Sequence, residues 1–145
     1  MASVKWEEGS VTTVMSTDLN ALADDANNIG GVIDNTTDLF VFDDYELHTA
    51  ALGYTPTAGA VIELYILASI DDGTTYEDGS DSITPPSSAL MGVFNLRAST
   101  AAQTHIIRQV YIPANKFKLL VINKAGAALA ATGNTLRRRP YRFQT

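Results

Sequence analysis

The sequence predicts an all-β fold: an antiparallel β-sandwich of the jelly-roll type, with an N-terminal arm and one short helix. After residue 37, apolar side chains recur with a period of two in six runs, which is typical of strands with one buried face. The gaps between these runs are rich in Gly, Pro, Ala and Ser and lack the helical periodicity that a βαβ fold requires. The 145 residues have the length of one domain, so we assign residues 1–36 to the arm and helix and residues 37–145 to the sandwich.

Residues 1–15 show no sustained period and mix β-branched side chains with Glu7, Glu8 and Gly9. This composition favours an arm that gains order on a partner. Trp6 combines a wide apolar ring with one N–H donor, so it suits either the core or a partner surface. The arm interpretation predicts that deletion of residues 1–15 leaves the sandwich folded and abolishes docking.

A single helix of about 13 residues is predicted next. Ser16 and Thr17 are natural N-caps, and Gly30 with Gly31 would end the helix. Apolar side chains recur at helical spacing at Leu19, Leu22, Ala23, Ala26 and Ile29. This apolar stripe is modest, so the helix is expected to lie on the sheet or on a neighbouring subunit.

Six strand regions follow the helix. They comprise residues 38–49, 60–70, 91–98, 104–112, 117–124 and 135–143. The second run places five apolar side chains on one face, at Ile62, Leu64, Ile66, Ala68 and Ile70. The fifth run does the same with Phe117, Leu119 and Val121. These faces are the predicted core of the sandwich.

Charge is divided sharply along the chain. All 16 Asp and Glu lie within residues 1–100 beside only two basic residues, whereas residues 101–145 carry eight Lys and Arg and no acid. The two halves could neutralise each other within one domain, or the basic segment could pair with an acidic neighbouring subunit. Nucleic-acid binding through Arg137, Arg138 and Arg139 is disfavoured because the rest of the chain is acidic. We predict neither a nucleic-acid nor a membrane partner.

No motif in the sequence identifies a reaction. There is no Cys, and neither His48 nor His105 accompanies the G-x-S-x-G turn of a Ser hydrolase. The acidic loop of residues 71–81 has ligand chemistry that calcium prefers, but its spacing does not fit the known calcium loop and suits an ordinary turn. The chain is therefore predicted to be no enzyme and to hold neither metal nor cofactor.

Binding is the favoured class of function. Five tyrosines could form a sugar-stacking face or simply fill strand faces: Tyr45, Tyr54, Tyr76, Tyr111 and Tyr141. Arginines interleave with aromatic residues near the C-terminus, a composition enriched at interface centres. The predicted partner-binding residues are Trp6, Leu19, Leu22, Arg137, Arg138, Arg139 and Tyr141. The three arginines are expected to pair with acids of another chain.

Four segments carry a resemblance to a known class of protein. They read TTVMSTDLNALADDANNIGGVIDN, AGAVIELYILASIDDGTTYEDGS, IPANKFKLLVINKAG and TGNTLRRRPYRF. In the residue types and the order of these segments, the chain resembles small virion structural proteins of tailed bacteriophages. The resemblance implies a non-enzymatic jelly roll that decorates and stabilises a capsid as a cement protein. The alternative is a tail or fibre component that binds a host-surface glycan.

This resemblance also implies a setting for the chain. A cement protein sits on the lattice of the major capsid protein, often as a homo-oligomer, with a trimer favoured. It is made in the host cytoplasm and ends on the capsid surface of the virion. Trp6, Leu19 and Leu22 are the side chains expected to contact the capsid or a neighbouring subunit.

Overall fold

The computed structural model describes residues 3–144, and nine strands account for most of the regular structure in that range. They are β1 (Lys5–Glu8), β2 (Thr12–Met15), β3 (Asn27–Asp34), β4 (Phe42–Thr49), β5 (Val61–Ala68), β6 (Leu90–Asn95), β7 (Gln103–Tyr111), β8 (Lys116–Lys124) and β9 (Thr135–Gln144). Every strand pair is antiparallel, and the strands form two sheets. The predicted β-sandwich is confirmed.

The two sheets differ in the number and order of their strands. The five-stranded sheet runs in the order β1-β9-β4-β7, and β2 pairs with β9 beside β1. The four-stranded sheet runs in the order β3-β8-β5-β6. All six predicted strand runs coincide with β4 to β9, with boundaries that differ by a few residues. Period-two patterning located them because each strand has one face in the core.

The core lies between the sheets and contains the side chains that alternation placed inward. Ile62, Leu64 and Ile66 of β5 face Tyr45 and Leu47 of β4 across the sandwich, all of them buried. The fifth run likewise buries Phe117, Leu119 and Val121. Ile70 was predicted to continue the β5 face and does not, because the strand ends at Ala68 and the side chain is 97% exposed.

The predicted helix is wrong. Thr17–Leu19 forms a single turn of 3-10 helix, and Asn27–Asp34 is strand β3. Ala21 and Asp25 adopt positive φ values of 55° and 60°, which interrupt a right-handed helix. The helical spacing of Leu19 and Leu22 arises from successive tight turns that each direct one apolar side chain into the core.

The predicted boundary at residue 36 falls between two strands of one sandwich. β1 and β2 both pair with β9, and β3 pairs with β8, so residues 5–34 contribute to both sheets. Deletion of residues 1–15 would remove two strands and the buried side chain of Met15. The arm interpretation failed because these strands are only four residues long, too short to show a period.

A proline explains why β1 and β2 are separate strands. Pro140 of β9 has no N–H to donate, and its carbonyl accepts a 2.7 Å hydrogen bond from the N–H of Gly9, in the gap between the two strands. A Cβ at Gly9 would lie 2.7 Å from Pro140 Cγ and 3.0 Å from Phe40 Cζ. Only glycine fits this close approach.

The burial of Leu19 gives a test of its role. Leu19→Ala is expected to lower the free energy of unfolding by about 2–5 kcal/mol, because it leaves a cavity in the core. The matched change Ile70→Ala, at an exposed position, should stay within about 0.5 kcal/mol. Denaturant unfolding measures both. Equal, small effects would instead assign Leu19 to a partner contact.

Candidate functional site

The two outer faces of the sandwich differ in what covers them. On the four-stranded sheet, the outward side chains Tyr65, Leu67, Leu120 and Ile122 form a second buried cluster with Ala89. The loop between β5 and β6 lies across them. A Cβ at Gly79 of this loop would lie 2.8 Å from Leu67 and 3.3 Å from Leu120. The chain therefore covers this outer face with its own loop.

The same loop protects the free edge of β3. The carboxylate of Asp81 accepts a 2.8 Å hydrogen bond from the N–H of Ile29, and the carbonyl of Ser80 accepts one from Asn27 at 3.2 Å. Asp71 accepts hydrogen bonds from Ser69 and from the N–H of Thr75, and these hold its pKa below the usual range. The acidic loop thus uses two of its carboxylates to organise backbone.

The outer face of the five-stranded sheet is open and carries a row of aromatic rings. We call this row the aromatic strip; it consists of Trp6, Phe42, Tyr111, Tyr141 and Phe143. Adjacent ring centroids lie 4.5 to 6.2 Å apart, within the range of favourable aromatic contacts. Trp6 is 52% exposed, Phe143 49% and Tyr111 70%, so the strip presents a wide ring surface to solvent.

Sheet register builds the strip. Trp6 pairs with Phe143 between β1 and β9, while Phe42 of β4 pairs with Tyr141 on one side and Tyr111 on the other. Paired residues of neighbouring strands point to the same side of a sheet. The strip therefore crosses four strands, which spans about 14 Å at the usual strand spacing.

A shallow polar pocket adjoins the strip. It has a volume of about 220 Å³ and is lined by Trp6, Glu8, Asp44, Gln109, Arg139 and Tyr141. Its walls combine two aromatic rings with carboxylate, amide and guanidinium groups. We call it the polar pocket. Polar groups that converge beside aromatic surface are a feature of ligand sites.

A β-bulge shapes the floor of the polar pocket. The register of β4 with β7 shifts between Asp43 and Tyr45, and Gln109 there adopts a positive φ of 55°. The N–H of Gln109 donates to Asp44 Oδ1 at 2.9 Å, and the hydroxyl of Tyr141 donates to the same oxygen at 3.1 Å. Burial and the Asp44 carboxylate raise the pKa of Tyr141 to about 12, so the hydroxyl keeps its proton.

The basic C-terminal segment is neutralised within the chain. Arg137 pairs with Glu46, Arg138 with Asp43, Arg139 with Glu8 and Arg142 with Glu7. All four arginines belong to β9 and all four acids to strands β1 and β4 beside it. The intrachain interpretation of the charge division is confirmed. Arg137, Arg138 and Arg139 were expected to pair with acids of another chain, and in this structure each guanidinium instead has an acid of its own chain as its partner.

One of these pairs is buried. Asp43 is fully buried, and Arg138 donates to it twice, through Nε at 2.8 Å and Nη2 at 2.9 Å. The buried hydroxyl of Tyr45 donates to the same carboxylate at 2.7 Å. Burial raises the pKa of Asp43, against the opposing effect of the guanidinium and the hydroxyl. The Arg138 guanidinium also lies 5.8 Å from the ring centre of Phe117.

The residues predicted to bind a partner differ in their exposure and location. Trp6 and Tyr141 lie in the aromatic strip, and Arg139 lines the polar pocket. Leu19 and Leu22 are buried in the core, so neither is available to a partner in the folded chain. Arg137 lines a second shallow depression beside the polar pocket, while Arg138 lies mostly beneath the sheet surface.

Sequence reasoning missed five residues of this face. Phe42 and Phe143 complete the strip, and Glu8, Asp44 and Gln109 complete the polar pocket. Phe42 and Asp44 share one face of the first strand run, so alternation could have grouped them. The position of Gln109 in the pocket depends on a β-bulge, and no sequence pattern indicated it. Tyr45, Tyr54 and Tyr76 lie away from the strip, two of them tied by hydrogen bonds to Asp43 and to the carbonyl of Ala127.

The two histidines lie on neighbouring strands but bond to neutral partners. His48 Nδ1 is 3.0 Å from the hydroxyl of Thr104, and His105 Nε2 is 3.0 Å from the side-chain oxygen of Gln103. Burial lowers the pKa of His105. Within residues 3–144, no three His, Asp or Glu side chains are grouped so as to hold a metal ion.

Among the residues described, no helix has the length and apolar character needed to cross a membrane.

Comparison with known proteins gives likenesses of structure only. No known family matches the sequence, and a search of curated proteins finds no significant match. One similar structure is the CBM36-1 domain of a multidomain xylanase from the hindgut metagenome of Trinervitermes trinervoides. It is 12% identical, with a TM-score of 0.49, over 91% of this chain and 96% of that one.

Two further structures share the same low identity. A family 6 carbohydrate-binding module from Clostridium cellulolyticum, in complex with xylose, is 11% identical with a TM-score of 0.41, over 92% of this chain and 97% of that one. The structure of Cocksfoot mottle virus is 11% identical with a TM-score of 0.36, over 97% of this chain and 95% of that one. At these levels of agreement, none of the three transfers a binding partner to this chain.

The buried pair predicts unequal effects of neighbouring arginines. Arg138→Gln is expected to cost about 3–5 kcal/mol of stability because it leaves the Asp43 charge buried and unpaired. Arg137→Gln, at an exposed pair, should cost at most about 1 kcal/mol. Urea unfolding at neutral pH measures both, and similar losses would contradict the assignment.

Acidification should reduce the difference between the two variants. Without Arg138, the pKa of Asp43 in the folded state lies still further above its unfolded value, so stability falls as pH rises through that window. Protonation below the window removes the buried charge. The penalty of Arg138→Gln is therefore expected to be smaller at about pH 4 than at about pH 7.

Proposed function

We propose that this chain is a non-enzymatic binding domain that holds a glycan on the aromatic strip and the adjoining polar pocket. One observation carries the proposal: half-exposed rings lie beside carboxylate and amide groups on the one sheet face that residues 3–144 leave open. Sugar rings have apolar C–H faces and hydroxyl edges. The strip offers surface for the first, and the pocket offers hydrogen-bond partners for the second.

The strip has the rigidity that glycan binding needs. Its rings are carried on paired strands and pack edge-on or stacked against one another, so little side-chain entropy is lost when a ligand binds. Trp6 also has its centroid 4.5 Å from that of Phe143. A pre-formed platform of this kind suits a ligand whose individual contacts are weak.

The polar pocket holds two carboxylates, yet its contacts favour binding over hydrolysis. Glycoside hydrolysis needs one carboxyl group that donates a proton to the leaving oxygen. Glu8 accepts from Arg139, and Asp44 accepts from Gln109 and Tyr141. Both carboxylates are held as hydrogen-bond acceptors, so neither is arranged as the proton donor.

The resemblance of the sequence to virion proteins of tailed bacteriophages supports a place in the phage particle for this binding activity. In that setting the domain belongs to a tail or fibre, and its ligand is a glycan on the host surface. Host recognition by many identical copies would tolerate weak binding at each site, because multivalent attachment multiplies the effective affinity.

Removal of a ring from the strip tests the proposal. Trp6→Ala and Tyr111→Ala are each expected to weaken glycan binding about tenfold, or about 1.4 kcal/mol, through loss of ring surface. A glycan array identifies the ligand, and calorimetry measures its affinity. Tyr76→Ala is the matched control, because that ring lies over Lys118 on the other sheet. The proposal fails if both strip variants bind as the wild type does while remaining folded.

We infer a second candidate, decoration of a capsid lattice, from the aliphatic part of the same face. Val11 and Ile106 line the depression beside the polar pocket, and both are about half exposed. Together with the strip they extend the apolar surface beyond what a glycan would cover. The partner in this case is the major capsid protein, bound by a homo-oligomer with a trimer favoured, at the capsid surface of the virion.

Copy number separates the two candidates. Quantitative mass spectrometry of purified particles gives the ratio of this chain to the major capsid protein. A ratio near one copy per capsid subunit is expected for lattice decoration, because the lattice repeats the same binding surface. A handful of copies per particle would assign the chain to the tail, where the glycan-binding candidate applies.

A further inference from the structure

We propose that the polar pocket selects neutral sugars over acidic sugars, with Asp44 as the residue that determines this specificity. The proposal rests on the proposed glycan-binding function and names its ligand class. It is carried by the distribution of hydrogen bonds and charge around Asp44.

Asp44 is held in place but not saturated. Its Oδ1 accepts two hydrogen bonds, from the N–H of Gln109 at 2.9 Å and from the hydroxyl of Tyr141 at 3.1 Å. Its Oδ2 accepts none from the residues that the structure describes. An ionised carboxylate offers about four lone-pair sites, so about two remain for a ligand in the pocket that Asp44 lines. Sugar hydroxyl groups are donors of the required kind.

Among the described residues that line the pocket, Arg139 is the one cation, and it is already engaged. Arg139 donates through Nη2 to Glu8 Oε2, and these two charges compensate each other. Asp44 therefore leaves the lining of the polar pocket with one net negative charge. A sugar carboxylate placed there would meet this charge at short range, and none of the described side chains that line the pocket is an uncommitted guanidinium that could neutralise it.

The β-bulge supports the same selectivity. Gln109 adopts a positive φ, an unfavourable backbone conformation for a non-glycine residue, and in doing so directs its N–H to Asp44. Its exposed side-chain amide lines the pocket and offers both a donor and an acceptor without charge. Besides the two aromatic rings and the Glu8–Arg139 pair, a ligand thus meets one unpaired anion and one neutral amide, which suits hydroxyl groups.

The test uses matched pairs of oligosaccharides, in which the C6 hydroxymethyl groups are either free or oxidised to carboxylates. Affinities for both members are measured by calorimetry at low and at physiological ionic strength. The wild type is expected to prefer the neutral member at least tenfold, or about 1.4 kcal/mol, with a smaller ratio at higher salt.

Asp44→Asn is the decisive variant. It removes the charge but keeps an oxygen that can accept from Gln109, so the ratio should fall to within about threefold of unity through a gain in affinity for the acidic member. Asp78→Asn is the matched control, since it makes the same change of net charge in the exposed loop of the opposite sheet. It is expected to leave the ratio unchanged.

Each outcome decides the proposal. It is overturned if the wild type binds both members equally or prefers the acidic one, if Asp44→Asn leaves the ratio unchanged, or if Asp78→Asn changes it as much. In those cases glycan binding itself still stands. Absence of binding to any member overturns the proposed function and this selectivity together. Trp6→Ala should weaken both members equally, which separates loss of the platform from loss of charge selection.

Discussion

The pairing of β9 with strands on both of its sides is the constraint on which the rest of the structure depends. β9 lies between β4 and the short strands β1 and β2, so it joins the two ends of the chain in one sheet. Its four arginines meet acids on both neighbours. The bidentate pair of Arg138 with the buried Asp43 fixes this arrangement most strongly, because a slip of β9 by one residue would turn Arg138 to the other face of the sheet and leave the Asp43 charge buried and unpaired.

The same register determines which sheet face can bind. Residues that alternate with the buried side chains of β4 and β9 point outward, and these are the rings and charged groups of the site. The corresponding outward positions of β5 and β8 are Tyr65, Leu67, Leu120 and Ile122, which form an apolar cluster under the loop before β6. One sheet is therefore covered by its own chain, while the other presents aromatic and polar groups to solvent.

The polar pocket shows how a local irregularity of the backbone adds chemistry to a regular sheet. Without the bulge, alternation would continue along β7 and the N–H of Gln109 would lie in the ladder of hydrogen bonds. The positive φ at this residue instead directs the N–H to Asp44. Asp44 is thereby fixed beside Tyr141 while Arg139 is committed to Glu8, and both the hydrogen-bonding capacity and the net charge of the pocket follow from those pairings.

The sequence by itself determined the sandwich, since strand-like runs separated by turn-rich gaps are a local signal, and the run of β4 adds a strict alternation of burial. The sequence also contained the division between an acidic N-terminal part and a basic C-terminal part, which the ion pairs of β9 with β1 and β4 explain. Tertiary structure decided the first 34 residues: the four-residue strands β1 and β2 show no period, and the spacing of Leu19 and Leu22 fits a helix as well as it fits two turns packed into a core. The site, too, needed the fold. Trp6, Asp44, Gln109 and Tyr141 are far apart in sequence and meet only because register and one bulge align four strands.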